Sequence, residues 1–166
     1  MKLTGKLSEL MRIIGISKED ISDSVDQSEE NVIRFNRNFD NRLRIQKIVF
    51  LIEKKTKEFQ YPYSLYLRGP YSKELAKEYY SLNTDSYSES DEPMSEESKK
   101  LANILSEKDN TWLEIASTIV MFSESYNTDK AVARTKEFKV DVLRSENKAA
   151  DYVDSVYEDI KRLGML

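Results

Sequence analysis

Between Trp112 and Phe122 the chain offers water almost nothing. Leu113, Ile115, Ala116, Ile119, Val120, Met121 and Phe122 cover nearly the whole circumference of a helix. A helix that is apolar all round has to be enclosed by other elements, and this requirement shapes the rest of the fold. Thr111 followed three residues later by Glu114 reads as a capping box that opens a helix over 112–125. A second deep helix is expected over 40–58, where Ile45, Ile48, Val49 and Ile52 recur at i, i+3, i+4 and i+7. Leu43, Phe50 and Leu51 widen its apolar face, and Lys54, Lys55 and Lys57 fall where the helix dipole favours cations. Two such helices in 166 residues are the centre of one helical domain.

The remaining segments supply the enclosure. Leu7, Leu10, Met11 and Ile14 have helical spacing with Gly15 as a stop, and Ser17 caps a second short helix. Residues 20–31 are polar, and Val32, Ile33, Phe35 and Phe39 follow as apolar anchors. In 61–68, Tyr63, Leu65 and Leu67 alternate with Ser64, Tyr66 and Arg68, which predicts a strand. Gly69-Pro70 ends it at a strand-to-helix corner, and Ser72 caps a helix over 73–82. Residues 83–94 read as a loop with a partner strand around Tyr87. Helices over 96–107 (cap Ser95), 129–138 (cap Thr128) and 146–163 (stop Gly164) complete the chain. The last carries a stripe of Ala149, Val153, Val156, Ile160 and Leu163, which serves either a homodimer or packing within the chain. The expected fold is mainly α: a helical bundle with a small β-hairpin and a winged-helix-like core. Residues 1–39 form an N-terminal helical extension to a domain of 40–166.

Composition removes several chemistries. With no Cys and no His there is no Cys/His zinc site, no thiolate nucleophile and no Ser-His-Asp triad. The four glycines are too scattered for a phosphate loop or a dinucleotide fingerprint. Asp, Glu, Lys, Tyr, Ser and Thr remain, but no carboxylate pair stands out; Glu53 and Glu114, each in a very apolar helix, are expected to face the surface. We therefore expect a non-enzymatic protein with no cofactor and no metal. No apolar run approaches the length of a membrane span, and no secretory leader is apparent, so the expectation is a cytoplasmic protein with no membrane partner. The net charge of −4 disfavours nucleic acid as a partner.

The charge is unevenly placed. Residues 40–82 hold nine Lys/Arg against five Asp/Glu, and 83–98 hold six acids and no base. The acidic run reads as a solvated linker, and Arg44, Lys47, Lys54 and Lys55 as the solvated face of their helix. Seven of the ten tyrosines lie between 61 and 87, interleaved with Arg68, Lys73 and Lys77. Tyrosine and arginine are enriched at binding hot spots because they bury large area and keep a polar tip. Tyr66, Arg68, Tyr71 and Lys73 are accordingly the expected contact residues of a protein-binding surface over 61–80. The runner-up is a winged-helix-type nucleic-acid binder reading with helix 73–82, its wing at 83–92.

Two segments carry a family resemblance. Leu43-Arg44-Ile45-Gln46-Lys47-Ile48-Val49-Phe50-Leu51 with Tyr63-Ser64-Leu65-Tyr66-Leu67-Arg68-Gly69-Pro70-Tyr71-Ser72 resembles the QK-helix and GPYS pattern of the YwgA-like family of small prokaryotic proteins. Trp112-Leu113-Glu114-Ile115-Ala116-Ser117-Thr118 is similar to that family's LELAST helix. The QK and GP elements also resemble the Panacea antitoxin domain. The resemblance spans about 40–166 and implies a mostly helical fold, with Gln46, Lys47, Gly69, Pro70 and Ser72 as its structural motif. The Panacea likeness further implies a regulatory, antitoxin-like role that works by direct binding to a protein.

Overall fold

The structure, a computed structural model, describes residues 4–22, 29–82 and 93–166, with side chains over 5–22, 36–82 and 93–166. Among these residues are eight α-helices and one two-stranded antiparallel sheet, the expected class of a helical bundle with a small hairpin. The helices are α1 (Thr4–Ile13), α2 (Glu29–Thr56), α3 (Lys73–Ser81), α4 (Glu96–Ser106), α5 (Asn110–Phe122), α6 (Thr128–Phe138), α7 (Val140–Ser145) and α8 (Asp151–Arg162). The strands are β1 (Ser64–Tyr66) and β2 (Gly69–Tyr71), and a 3-10 turn spans Lys18–Ile21.

The all-round apolar segment is α5, and every residue from Trp112 to Val120 is buried. It packs against α2, α6, α8 and β2, while α4 packs on α2 and α1 on α4. Leu7, Leu10, Met11, Ile16 and Ile21 join the same core as Ile48 and Ile115. α2 runs unbroken for 28 residues through position 39, where the boundary between extension and domain was expected. Its stretch around positions 38–42 is held from outside the helix. Asn38 donates to the carbonyls of Glu19 and Ser22, Asn41 to that of Asp20, and Arg42 to those of Ile21 and Ser22. Such tertiary bonds fix a polar stretch as helix that periodicity alone would leave as loop.

Three other boundaries differ for local reasons. α5 is capped by Asp109, whose side chain accepts from the Trp112 N–H at 2.8 Å, so Thr111 is already helical and Glu114 is not part of a capping box. Asn127, not Thr128, caps α6 by accepting from the Lys130 N–H. The last helix starts at Asp151, not at 146, and an unexpected short helix, α7, precedes it; Asn147 takes a left-handed φ of 54° between them and the Lys148 N–H closes onto the Leu143 carbonyl. Val153, Val156 and Ile160 of the expected stripe pack into the core and Leu163 against it, whereas Ala149 is exposed ahead of α8.

The sheet departs most from expectation. β1 is shorter than the alternation predicted, and its partner is the Gly69-Pro70-Tyr71 segment itself, with Leu65 opposite Pro70 and Tyr66 opposite Gly69. Leu67 and Arg68 form the turn, and Gly69 accepts the positive φ of 97° that follows. Proline is tolerated because this sheet has only edge strands. Leu65 and Leu67, placed by the alternation on one apolar face, are both exposed. The wing and partner strand expected around Tyr87 lie outside the described residues.

Candidate functional site: an aromatic cleft over a buried charge network

The hairpin has only three residues per strand, too few to be stable in isolation. Side chains of α2 and α5 hold it in place. Gln46 meets the Ser72 backbone with two bonds of 2.9 Å, donating to its carbonyl and accepting from its N–H. The Ser72 hydroxyl in turn caps α3 by accepting from the Leu75 N–H. Lys47 Nζ donates to the Pro70 carbonyl at 2.6 Å. Gly69 lies so close that a Cβ there would stand 2.9 Å from Thr118 Oγ1 and 3.3 Å from Lys47 Nζ. Gln46, Lys47, Gly69, Pro70 and Ser72, expected as a structural motif, are thus brought into one set of contacts.

Behind them lies a charge network that sequence reading missed. Glu114, expected at the surface, is 1% exposed. It accepts from Lys139 Nζ at 2.8 Å and from Arg68 Nε and Nη2 at 3.1 and 3.2 Å. Lys139 also donates to the Leu67 carbonyl in the hairpin turn. Lys47, expected on a solvated face, is 1% exposed as well. Burial, reinforced by the positive charge of Lys139, lowers its pKa to about 7. Burial also lowers that of Lys139, and Glu114 opposes the shift. Two cations therefore bond one carboxylate, and Lys47 beside them feels the charge of all three groups. Of the other basic residues expected at the surface, Arg44 instead ties down the α4–α5 connection through the carbonyls of Ser106 and Lys108 and the Asn110 side chain. Lys54 pairs with Glu124 at the surface.

In front of the network, between α2, the hairpin and α3, lies a cleft of about 380 Å³. Phe39, Tyr66, Tyr71, Tyr79 and Tyr80 form its walls. Tyr66 and Tyr71 meet edge-to-face at 5.2 Å, and Tyr79 and Tyr80 do so at 5.0 Å. The guanidinium groups of Arg42 and Arg68 stand 5.8 and 5.6 Å from the centre of the Phe39 ring. Of the four expected contact residues, Tyr66, Arg68 and Tyr71 line this cleft. Lys73 is exposed at the start of α3 and does not line it.

The tyrosine cluster divides. Tyr61 is buried with its hydroxyl on Glu78 at 2.6 Å, and Tyr63 packs edge-on against Phe50. Glu53, the other acid expected at the surface, is half-buried, and burial raises its pKa to about 7. Phe39 and Arg42 were not expected as cleft residues; the signal that could have found them is the helical face they share with Leu43, Gln46 and Lys47. Lys139, far along the chain, carried no such signal. Among the described residues no helix is long and apolar enough to cross a membrane. No known protein family, curated protein or solved structure matches the chain.

Proposed function

We propose that the chain is a protein-binding regulatory module, antitoxin-like in its mode of action, whose contact surface is the hairpin and adjoining face of residues 61–80. The observation that carries this reading is Leu67. It is 85% exposed at the tip of a hairpin held rigidly from behind. Leu65 and Tyr66 beside it are 41% and 43% exposed. A pre-ordered apolar knob loses little entropy on docking, and covering a leucine contributes about 1.5–3 kcal/mol. The matching partner has an apolar pocket for Leu67, rimmed by carboxylates that face Arg68 and Lys73. Nucleic-acid recognition by α3 finds less support. Its exposed residues include Glu74 as well as Lys73 and Lys77, a mixture poorly suited to phosphates.

The test is affinity capture with the parent and with Leu67→Glu, followed by a binary titration against each purified protein that only the parent retains. The expected outcome is at least one direct partner whose affinity falls more than about tenfold. Retention by Leu67→Glu of every protein the parent captures overturns the reading.

A further inference from the structure

The cleft itself has properties that a protein-contact knob does not require. Its volume of about 380 Å³ falls within the range of small-molecule pockets, roughly 300–1,000 Å³. Its walls are rings, which suit a flat apolar body. Arg42, Lys47 and Arg68 line it, and no Asp or Glu does so among the described residues. The network beneath compounds this imbalance, since Arg68 and Lys139 both bond the single carboxylate of Glu114, while Lys47 bonds the neutral Pro70 carbonyl. A buried cation without a counter-charge is costly, and an anion entering from the cleft would relieve that cost.

We propose that this cleft binds a small aromatic organic anion, its ring among Phe39, Tyr66, Tyr71 and Tyr80 and its negative group towards Lys47 and Arg68. The proposal does not rest on the protein-contact reading. Leu67 lines the cleft as well as forming the hairpin tip, but Leu65 lies outside it, and the cleft can hold an anion whether or not the hairpin binds a protein.

The probe is 8-anilinonaphthalene-1-sulfonate, compared with the uncharged N-phenyl-1-naphthylamine, by fluorescence titration of the intact chain. One saturable site is expected, with a preference of at least about tenfold for the sulfonate. Lys47→Met keeps the stem and removes the charge, so it should abolish that preference, weakening the sulfonate about tenfold more than the neutral dye, while the lost Pro70 bond affects both dyes alike. Circular dichroism confirms that the variant is folded. Should it fail to fold, Arg68→Gln at a half-exposed position is read in the same way. Equal affinity for the two dyes, or a preference that survives in the folded variant, overturns the proposal. Leu65→Glu, outside the cleft, is expected to leave dye binding unchanged while weakening protein capture, which separates the two readings.

Discussion

Replacing Glu114 with Gln removes one charge from the most buried ion pair in the protein and changes almost no volume. Both members of the Glu114–Lys139 pair are 1% exposed, so water cannot take over the role of the lost carboxylate. Removing one partner of such a pair leaves a stranded charge and costs about 3–5 kcal/mol. A ceiling follows from proton release: deprotonating Lys139 from its ordinary 10.5 at pH 7 costs about 5 kcal/mol. The contact with Arg68 adds little, because its side chain is 42% exposed. Urea unfolding should therefore show a loss of about 3–5 kcal/mol, and thermal unfolding a fall of roughly 6–20 °C for a chain of this size. Adding Lys139→Met removes the stranded charge. The double variant is expected to recover to within about 2 kcal/mol of the parent, the remainder being the bonds that Arg68 and the Leu67 carbonyl no longer make. A single variant that loses less than about 1 kcal/mol, or a double variant no better than the single, would refute the reasoning.

Further predictions concern backbone, caps and pH. Gly69→Ala forces a left-handed residue and a Cβ 2.9 Å from Thr118, and a loss of about 2 kcal/mol or more is expected in thermal unfolding. Asp109→Ala should cost about 1 kcal/mol by removing the cap on Trp112, whereas Thr111→Ala should cost under about 0.5, a contrast that denaturant titration resolves. Glu53 holds its proton up to about pH 7 when folded but loses it near 4.5 when unfolded, so its contribution to stability falls as pH rises between those values; Glu53→Gln should flatten this decline. Lys47 has the opposite effect. Folded, it sheds its proton at about pH 7; unfolded, it keeps it to about 10.5, so stability rises with pH over about 7–9.5, and Lys47→Met should abolish the rise.

The helices were legible because their signals are local. The apolar runs of α2 and α5 and the serine caps of α3 and α4 can each be read within a single turn or two. The structure differs from the reading wherever a distant partner decides. A polar stretch before Asp40 is helical because Asn38, Asn41 and Arg42 reach carbonyls in the preceding turn. Glu114 and Lys47 look like surface charges by composition, but Lys139, distant in the chain, makes burial of Glu114 tolerable, and the Pro70 carbonyl takes the Lys47 ammonium. The GPYS segment showed where the chain turns but not that it turns back on itself. Its neighbours Leu65 and Leu67 mimic the alternation of a buried strand, although the sheet that carries them has no second layer over that face.

The polar chemistry behind the hairpin has a physical logic that an apolar filling would lack. Apolar contacts are non-directional, so a short two-stranded ribbon resting on grease alone could slide or tilt. Here the carbonyls of Leu67, Pro70 and Ser72 are each held by a side chain, the first by Lys139 and the other two by the adjacent α2 residues Lys47 and Gln46. Three directional bonds, at the turn, in β2 and just beyond it, fix both the ribbon's register and its angle to α2. The same bonds set where Tyr66 and Leu67 stand, because those residues belong to the segment being held. The charged groups that secure the hairpin are thus also the base of the cleft it walls, so a charge-removing change at Lys47 is felt at the contact tip and in the cleft, whereas a change at Leu65 is confined to the surface.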